Sequence, residues 1–128
     1  MAKRILVVED DGAVARLIQV NLERAGYEVE LAGNGRGALT AVAQRRPDAV
    51  VLDVVMPVLD GFEVLRRLKA DPDTSDIPVM LLTGKSDEDS IFQAWSEGVE
   101  CYLTKPFDPD DLVLFMERML AGENDEAE

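Results

Sequence analysis

The chain has 128 residues, 47% of them hydrophobic and 30% charged, which suits one compact domain with one principal site and excludes wholesale disorder. Asp and Glu number 26 against 13 Lys plus Arg, a formal charge of -13 that opposes unaided binding to DNA, RNA or an anionic membrane. There is no histidine and one cysteine, Cys101, which excludes Ser-His-Asp and Cys-His catalysis, His-containing metal sites and an internal disulfide.

Short aliphatic runs recur along the chain. Ile5 to Val8, Ala49 to Leu52 and Val79 to Leu82 have no polar side, the pattern of strands covered on both faces in a parallel sheet. Glu28 to Leu31 and Glu100 to Thr104 are weaker strand candidates. Between them lie helical periodicities. Asp11 opens a first helix with an apolar stripe of Val14, Leu17, Ile18, Leu22 and Ala25, and Gly26 ends it. A second helix, Asn34 to about Arg46, turns Ala38, Leu39 and Val42 inward, and a third starts at Asp60 and buries Val64, Leu65 and Leu68 before Asp71-Pro72. Ser86 is the expected cap of a fourth helix carrying Ile91, Ala94 and Trp95 and closing at Gly98. Asp108 and Pro109 start a fifth, with Leu112, Met116 and Met119 at core spacing.

Five strand-helix alternations predict a doubly wound α/β sheet, whose ligands gather at the carboxyl ends of the strands. Glu9, Asp10 and Asp11 follow the first strand, Asp53 the third, Thr83 the fourth, and Lys105-Pro106 the fifth, so all fall on one edge. Asp11 is expected to serve only as a helix cap. Carboxylates converging there repel by ~1 kcal/mol or more per pair even when screened, which a divalent cation relieves. Oxygen ligands with open positions suit Mg²⁺ bridging carboxylates to phosphate; no EF-hand spacing favours calcium. If Asp53 accepts a phosphoryl group, the metal, the Lys105 ammonium and the Thr83 hydroxyl have separate oxygens to serve.

These residues resemble the receiver domain of two-component response regulators over residues 3 to about 121. The likeness rests on Ile5-Leu-Val-Val-Glu-Asp10, Asp53-Val-Val-Met-Pro-Val-Leu-Asp-Gly61, Leu82-Thr-Gly84 and Tyr102-Leu-Thr-Lys-Pro-Phe107. It implies a flavodoxin-like five-stranded parallel sheet in the order 2-1-3-4-5. It implies Asp53 as phosphoacceptor, and Mg²⁺, with Mn²⁺ able to substitute, held by Glu9, Asp10, Asp53 and the Val55 carbonyl. Lys105 would contact the acyl phosphate, Thr83 and Tyr102 would be the switch pair, and the bond before Pro106 would be cis. The chain departs from the commoner Asp-Asp pair in having Glu9-Asp10. It also has Glu100-Cys101 where receivers fused to winged-helix domains usually carry two acids, which speaks against their symmetric salt-bridge dimer.

Rival functions lack their own residues. A haloacid-dehalogenase-type phosphatase needs an acid two residues after its nucleophile, where this chain has Val55. A flavodoxin-like FMN carrier needs a Ser, Thr and Gly-rich first loop, against Glu9-Asp10-Asp11. A receiver that only binds is opposed by the intact Asp53, Thr83 and Lys105. Without histidine the phosphoryl donor must be a partner kinase, a phosphotransfer protein or a small acyl phosphate; independent substrate turnover is not expected. The resemblance also implies that side chains two residues after the phosphoacceptor and two after the switch Thr govern water access; here these are Val55 and Lys85, neither of which orients water as a carboxylate or amide would, so slow self-dephosphorylation is expected.

The domain is expected over residues 1–121, with 122–128 an acidic tail or linker stub. The chain then either signals through other proteins or belongs to a longer regulator. No leader pattern opens it and no apolar run is long enough to span a bilayer, which points to the cytoplasm. Val113, Leu114 and Phe115 turn at least partly outward. Ile91, Trp95, Tyr102 and Phe115 are the candidate surface for self-association or effector docking through the fourth helix, fifth strand and fifth helix.

Overall fold

The aliphatic runs occupy the centre of a parallel sheet because both of their faces are covered by helices. The computed structural model describes residues 2–56, 59–84 and 88–122. Its elements are β1 (Arg4–Val8), α1 (Gly12–Arg24), β2 (Glu28–Ala32), α2 (Gly35–Gln44) and β3 (Ala49–Asp53), then α3 (Gly61–Ala70), β4 (Val79–Thr83), α4 (Glu88–Ser96), β5 (Cys101–Thr104) and α5 (Pro109–Leu120). The strands pair in parallel in the order β2-β1-β3-β4-β5.

Strand alternation divides the core into two layers. Leu6, Val8, Val50, Leu52, Val79 and Leu81 face α2, α3 and α4, where Ala38, Val42, Val64, Leu65, Leu68 and Ala94 close the layer. Ile5, Val7, Ala49, Val51, Met80 and Leu82 face α1 and α5, meeting Ile18, Leu22, Leu112, Met116 and Met119. Most of these side chains are fully enclosed, the Val, Leu, Ile and Met among them each contributing roughly 1.5–3 kcal/mol of burial.

The helix ends follow their local chemistry. Asp11 accepts from the N–H groups of Ala13 and Val14, Asn34 from Gly37, Asp60 from Glu63 and Asp108 from Asp110. Gly26 and Gly98, at φ +100° and +90°, provide the left-handed residue that ends α1 and α4. The second helix stops at Gln44, short of the expected Arg46: Arg45 is already extended, and Arg46, which precedes Pro47, is disfavoured in the helical region.

Two members of the expected α1 stripe are displaced from the core. Leu17 is 44% exposed and Ala25 is solvent-facing, while Ala15 is buried. The buried face of α1 is thus Ala15, Ile18 and Leu22. Strand β1 also begins one residue early, at a buried Arg4 whose guanidinium donates to Glu30 Oε1 at 2.8 Å and to the Arg45 carbonyl at 2.8 Å. Ser86, Lys85 and residues 123–128 of the tail lie outside the described residues.

Candidate functional site

Strand order places the site. The chain runs from β1 to one neighbour, β2, and then to the other, β3, so the connections leave the sheet on opposite faces and open a crevice at the carboxyl ends of β1 and β3. Glu9 and Asp53 stand at that crevice. The Glu9 N–H extends the β1–β2 ladder to the Ala32 carbonyl at 3.0 Å, and the Val54 N–H extends β3 onto the Leu82 carbonyl at 2.9 Å. Both carboxylates are therefore fixed at their roots and buried, Glu9 at 4% and Asp53 at 3% exposure, while Asp10 faces solvent.

Carboxylate oxygens of Glu9, Asp10 and Asp53 lie within 4.8 Å of one another. At that distance two ionised carboxylates repel by about 3 kcal/mol at an effective dielectric constant of about 20. Among the described residues one side-chain cation answers two of them: Lys105 Nζ donates to Glu9 Oε1 at 2.8 Å and lies 3.4 Å from Asp53 Oδ1. Its backbone is anchored by an N–H bond to the Thr83 carbonyl at 2.7 Å, and its peptide bond to Pro106 is cis.

Electrostatics follow from that count. Burial pushes the Glu9 carboxyl above the usual carboxylate range, and the charge of Asp53 adds to it, against the opposing hydrogen bonds from Lys105 and the Asp11 N–H. Burial alone would lower the Lys105 ammonium, but the Glu9 hydrogen bond and the charges of Asp53 and Glu9 outweigh it and hold the ammonium above its ordinary value. Three hard oxygen donors with an excess of negative charge fit a divalent cation, which would share Asp53 with Lys105.

The remaining expected residues lie around this centre. Thr83 is buried at the end of β4, one residue beyond the Leu82 that pairs with Asp53. Val55 is 60% exposed, and its N–H points to Asp53 Oδ1 at 3.4 Å. Tyr102 is half-buried against the α2-α3-α4 layer, as is Trp95; Phe115 is half-buried against the other layer, and Ile91 is half-buried on α4. Leu114 is exposed, and so, at 75%, is Phe92, which the helical pattern did not single out. Two glycines lie against the β3–α3 connection; Gly61 entered the sequence reading only as the end of a motif and Gly35 was passed over, although both carry the signal of glycine directly after a helix cap.

A parallel sheet in this order with a metal-competent acidic carboxyl edge defines a doubly wound α/β domain with its site at the topological switch point. The chain belongs to the response regulator receiver domain family, whose model matches residues 5–117. It is 41% identical over 120 residues to the phosphate regulon transcriptional regulatory protein PhoB of Pseudomonas aeruginosa, covering 94% of this chain and 52% of PhoB. The signal receiver domain of a signal transduction histidine kinase from Syntrophus aciditrophicus superposes with a TM-score of 0.89 at 38% identity, over 94% of this chain and 92% of that one. The Mn²⁺-bound form of response regulator Rcp1 gives 0.78 at 35% identity, over 94% and 90%. The chain spans about half the length of the curated relatives it matches. Receivers are phosphoryl-accepting switches that bind divalent metal and work with histidine kinases or phosphotransfer proteins; they are not substrate-turnover enzymes. Among the described residues no helix is long and apolar enough to cross a membrane.

Proposed function

We propose that Asp53 is the phosphoacceptor of this receiver, taking its phosphoryl group from a phosphohistidine of a partner kinase or phosphotransfer protein, in the cytoplasm. The observation that carries the reading is a buried carboxylate at the end of the central strand, within reach of both an ammonium and two further carboxylates. A carboxylate oxygen of Asp53 attacks phosphorus in line, the bond from phosphorus to the donor nitrogen breaks, and the nitrogen keeps the electron pair. Lys105 leaves Glu9 to pair with a phosphoryl oxygen, and the Thr83 hydroxyl donates to another. Glu9, Asp10, Asp53 and the Val55 carbonyl would hold Mg²⁺, with Mn²⁺ as substitute, and the ion would offset charge on the phosphoryl oxygens.

The new dianion draws Thr83 toward it and Tyr102 inward behind it, a two-state change that alters the surface of α4, β5 and α5. Ile91, Trp95, Tyr102 and Phe115 lie on those elements and make that surface the one read by a second copy or an effector. The formal charge of -13 opposes binding of this domain to nucleic acid or anionic membrane.

Acetyl phosphate with Mg²⁺ tests the assignment by intact-mass spectrometry. One phosphoryl group is expected on wild type, none on Asp53→Asn and none in EDTA. Equal labelling of the Asn variant would overturn it.

A further inference from the structure

Gly35 and Gly61 are the first residues of α2 and α3, and neither adopts the left-handed conformation that calls for glycine. What excludes a side chain at each is contact with backbone. A Cβ on Gly61 would overlap the carbonyl oxygen of Asp53 and stand 2.8 Å from Val54 Cα, while the Gly61 N–H donates to the Val54 carbonyl at 2.9 Å. A Cβ on Gly35 would stand 2.6 Å from the Leu59 carbonyl oxygen, 2.9 Å from Leu59 Cβ and 2.8 Å from Val64 Cγ2. Gly37, two residues further along α2, differs: a Cβ there would meet Asn34 Oδ1 at 3.4 Å and Ala32 Cβ at 3.9 Å, ordinary contacts.

We propose that Gly35 is a positioning residue for Asp53, acting through Leu59 and Gly61. The amino end of α2 is the wall against which Leu59 rests. Leu59 is two residues from Gly61, and the intervening Asp60 is itself tied down, accepting the Glu63 N–H at 3.0 Å as the cap of α3. A push on the Leu59 backbone is therefore carried to Gly61, which has no free space before it meets the Asp53–Val54 peptide. The second helix cannot easily yield instead, because Ala38, Ala41 and Val42 hold it in the core. The inference rests on Asp53 being the phosphoacceptor.

Four proteins test it: wild type, Gly35→Ala, Gly37→Ala and Val64→Ala. Each is measured for Mn²⁺ affinity by calorimetry, for the rate of labelling by acetyl phosphate, and for its unfolding midpoint in EDTA. Gly35→Ala should weaken Mn²⁺ binding and slow labelling by on the order of 10-fold, the scale seen when the support of a ligand is disturbed. Gly37→Ala should match wild type. Val64→Ala should lower the midpoint through its cavity and leave Mn²⁺ affinity unchanged, which separates positioning from stability. Wild-type affinity in Gly35→Ala, or an affinity loss in Val64→Ala of the same size, overturns the inference while leaving Asp53 as acceptor. Failure of wild type to bind Mn²⁺ or to label at Asp53 overturns the Asp53 reading, and this one with it. If Gly35→Ala does not fold, Mg²⁺ titration of wild type followed by amide resonances decides: Gly35 and Leu59 should shift while Gly37 stays, and an unmoved Gly35 overturns the inference.

Discussion

The two ends of the sheet both gather charge, and they handle it in opposite ways. At the amino end Lys69 Nζ donates to both oxygens of Glu100, at 3.1 and 2.8 Å, and to the carbonyls of Ser75 and Ile77. Glu100 also accepts the Val79 N–H at 2.8 Å, so the starts of β4 and β5 and the end of α3 are joined through one balanced pair. At the carboxyl end three carboxylates cluster and, among the described residues, one ammonium pairs with two of them, Glu9 and Asp53. Balanced charge with saturated hydrogen bonds holds a fold together; surplus charge of one sign, kept in place by backbone anchors, is held ready for a ligand.

Removing one lysine from each end should separate these roles. The largest effect is expected at Lys105: Lys105→Ala should slow labelling by acetyl phosphate on the order of 100-fold, the scale of losing one donor aimed at developing charge. Lys69→Met should label at the wild-type rate in a stopped time course. Next in size is the response to metal. At 100 times its dissociation constant, Mg²⁺ should raise the unfolding free energy by about 2.7 kcal/mol, measured by urea titration with and without EDTA. Lys69→Met should keep that increment and Asp53→Ala should lose most of it.

Lys69→Met should itself cost about 2 kcal/mol in the same titrations, less than a fully enclosed pair because Glu100 is one-third exposed. A cost within error of zero would mean that the amino-end network is ornamental. The smallest effect is a slope with pH. The Glu9 carboxyl titrates above its ordinary value near 4.5, so between the two values the folded protein binds more protons than the unfolded chain. Stability of the metal-free protein should therefore fall as pH rises from about 4.5 through the folded value of Glu9. Glu9→Gln should remove that part of the slope, and saturating Mg²⁺ should reduce it.

The sheet was readable from residues because a strand buried on both faces leaves an unmistakable run, as Val79 to Leu82 does, and because Asp11, Asp60 and Asp108 cap helices by local chemistry alone. What pattern could not supply was contact between distant segments. Val14, Leu17, Ile18 and Leu22 have helical spacing whichever way the helix is rolled, and only the roll it takes in the fold, with Ala15 buried, decides that Leu17 is left out. Arg4 lay outside the strand expected from Ile5 to Val8, and it is Glu30 and the Arg45 carbonyl, far along the chain, that make its burial tolerable. At the site, the residues that meet were identifiable from their common place after the strands. The Glu9–Lys105 pair, which ties positions 96 apart in sequence, was not. Nor was Gly35, whose neighbour Leu59 arrives from another connection.

The division of the core into two layers has a consequence for how the molecule comes apart. Ile5 belongs to one layer and Leu6 to the next, and the same alternation runs through β3 and β4, so neighbouring residues of one strand answer to different sets of helices. Neither layer can melt alone, because releasing α1 and α5 would bare Ile5, Val7, Val51 and Met80 to water while Leu6, Val50 and Leu81 remained bound on the other side of the same backbone. Heat and denaturant should therefore meet a single cooperative unit, in which the loss of packing beneath α5 is felt on the far face of the sheet by way of covalent bonds.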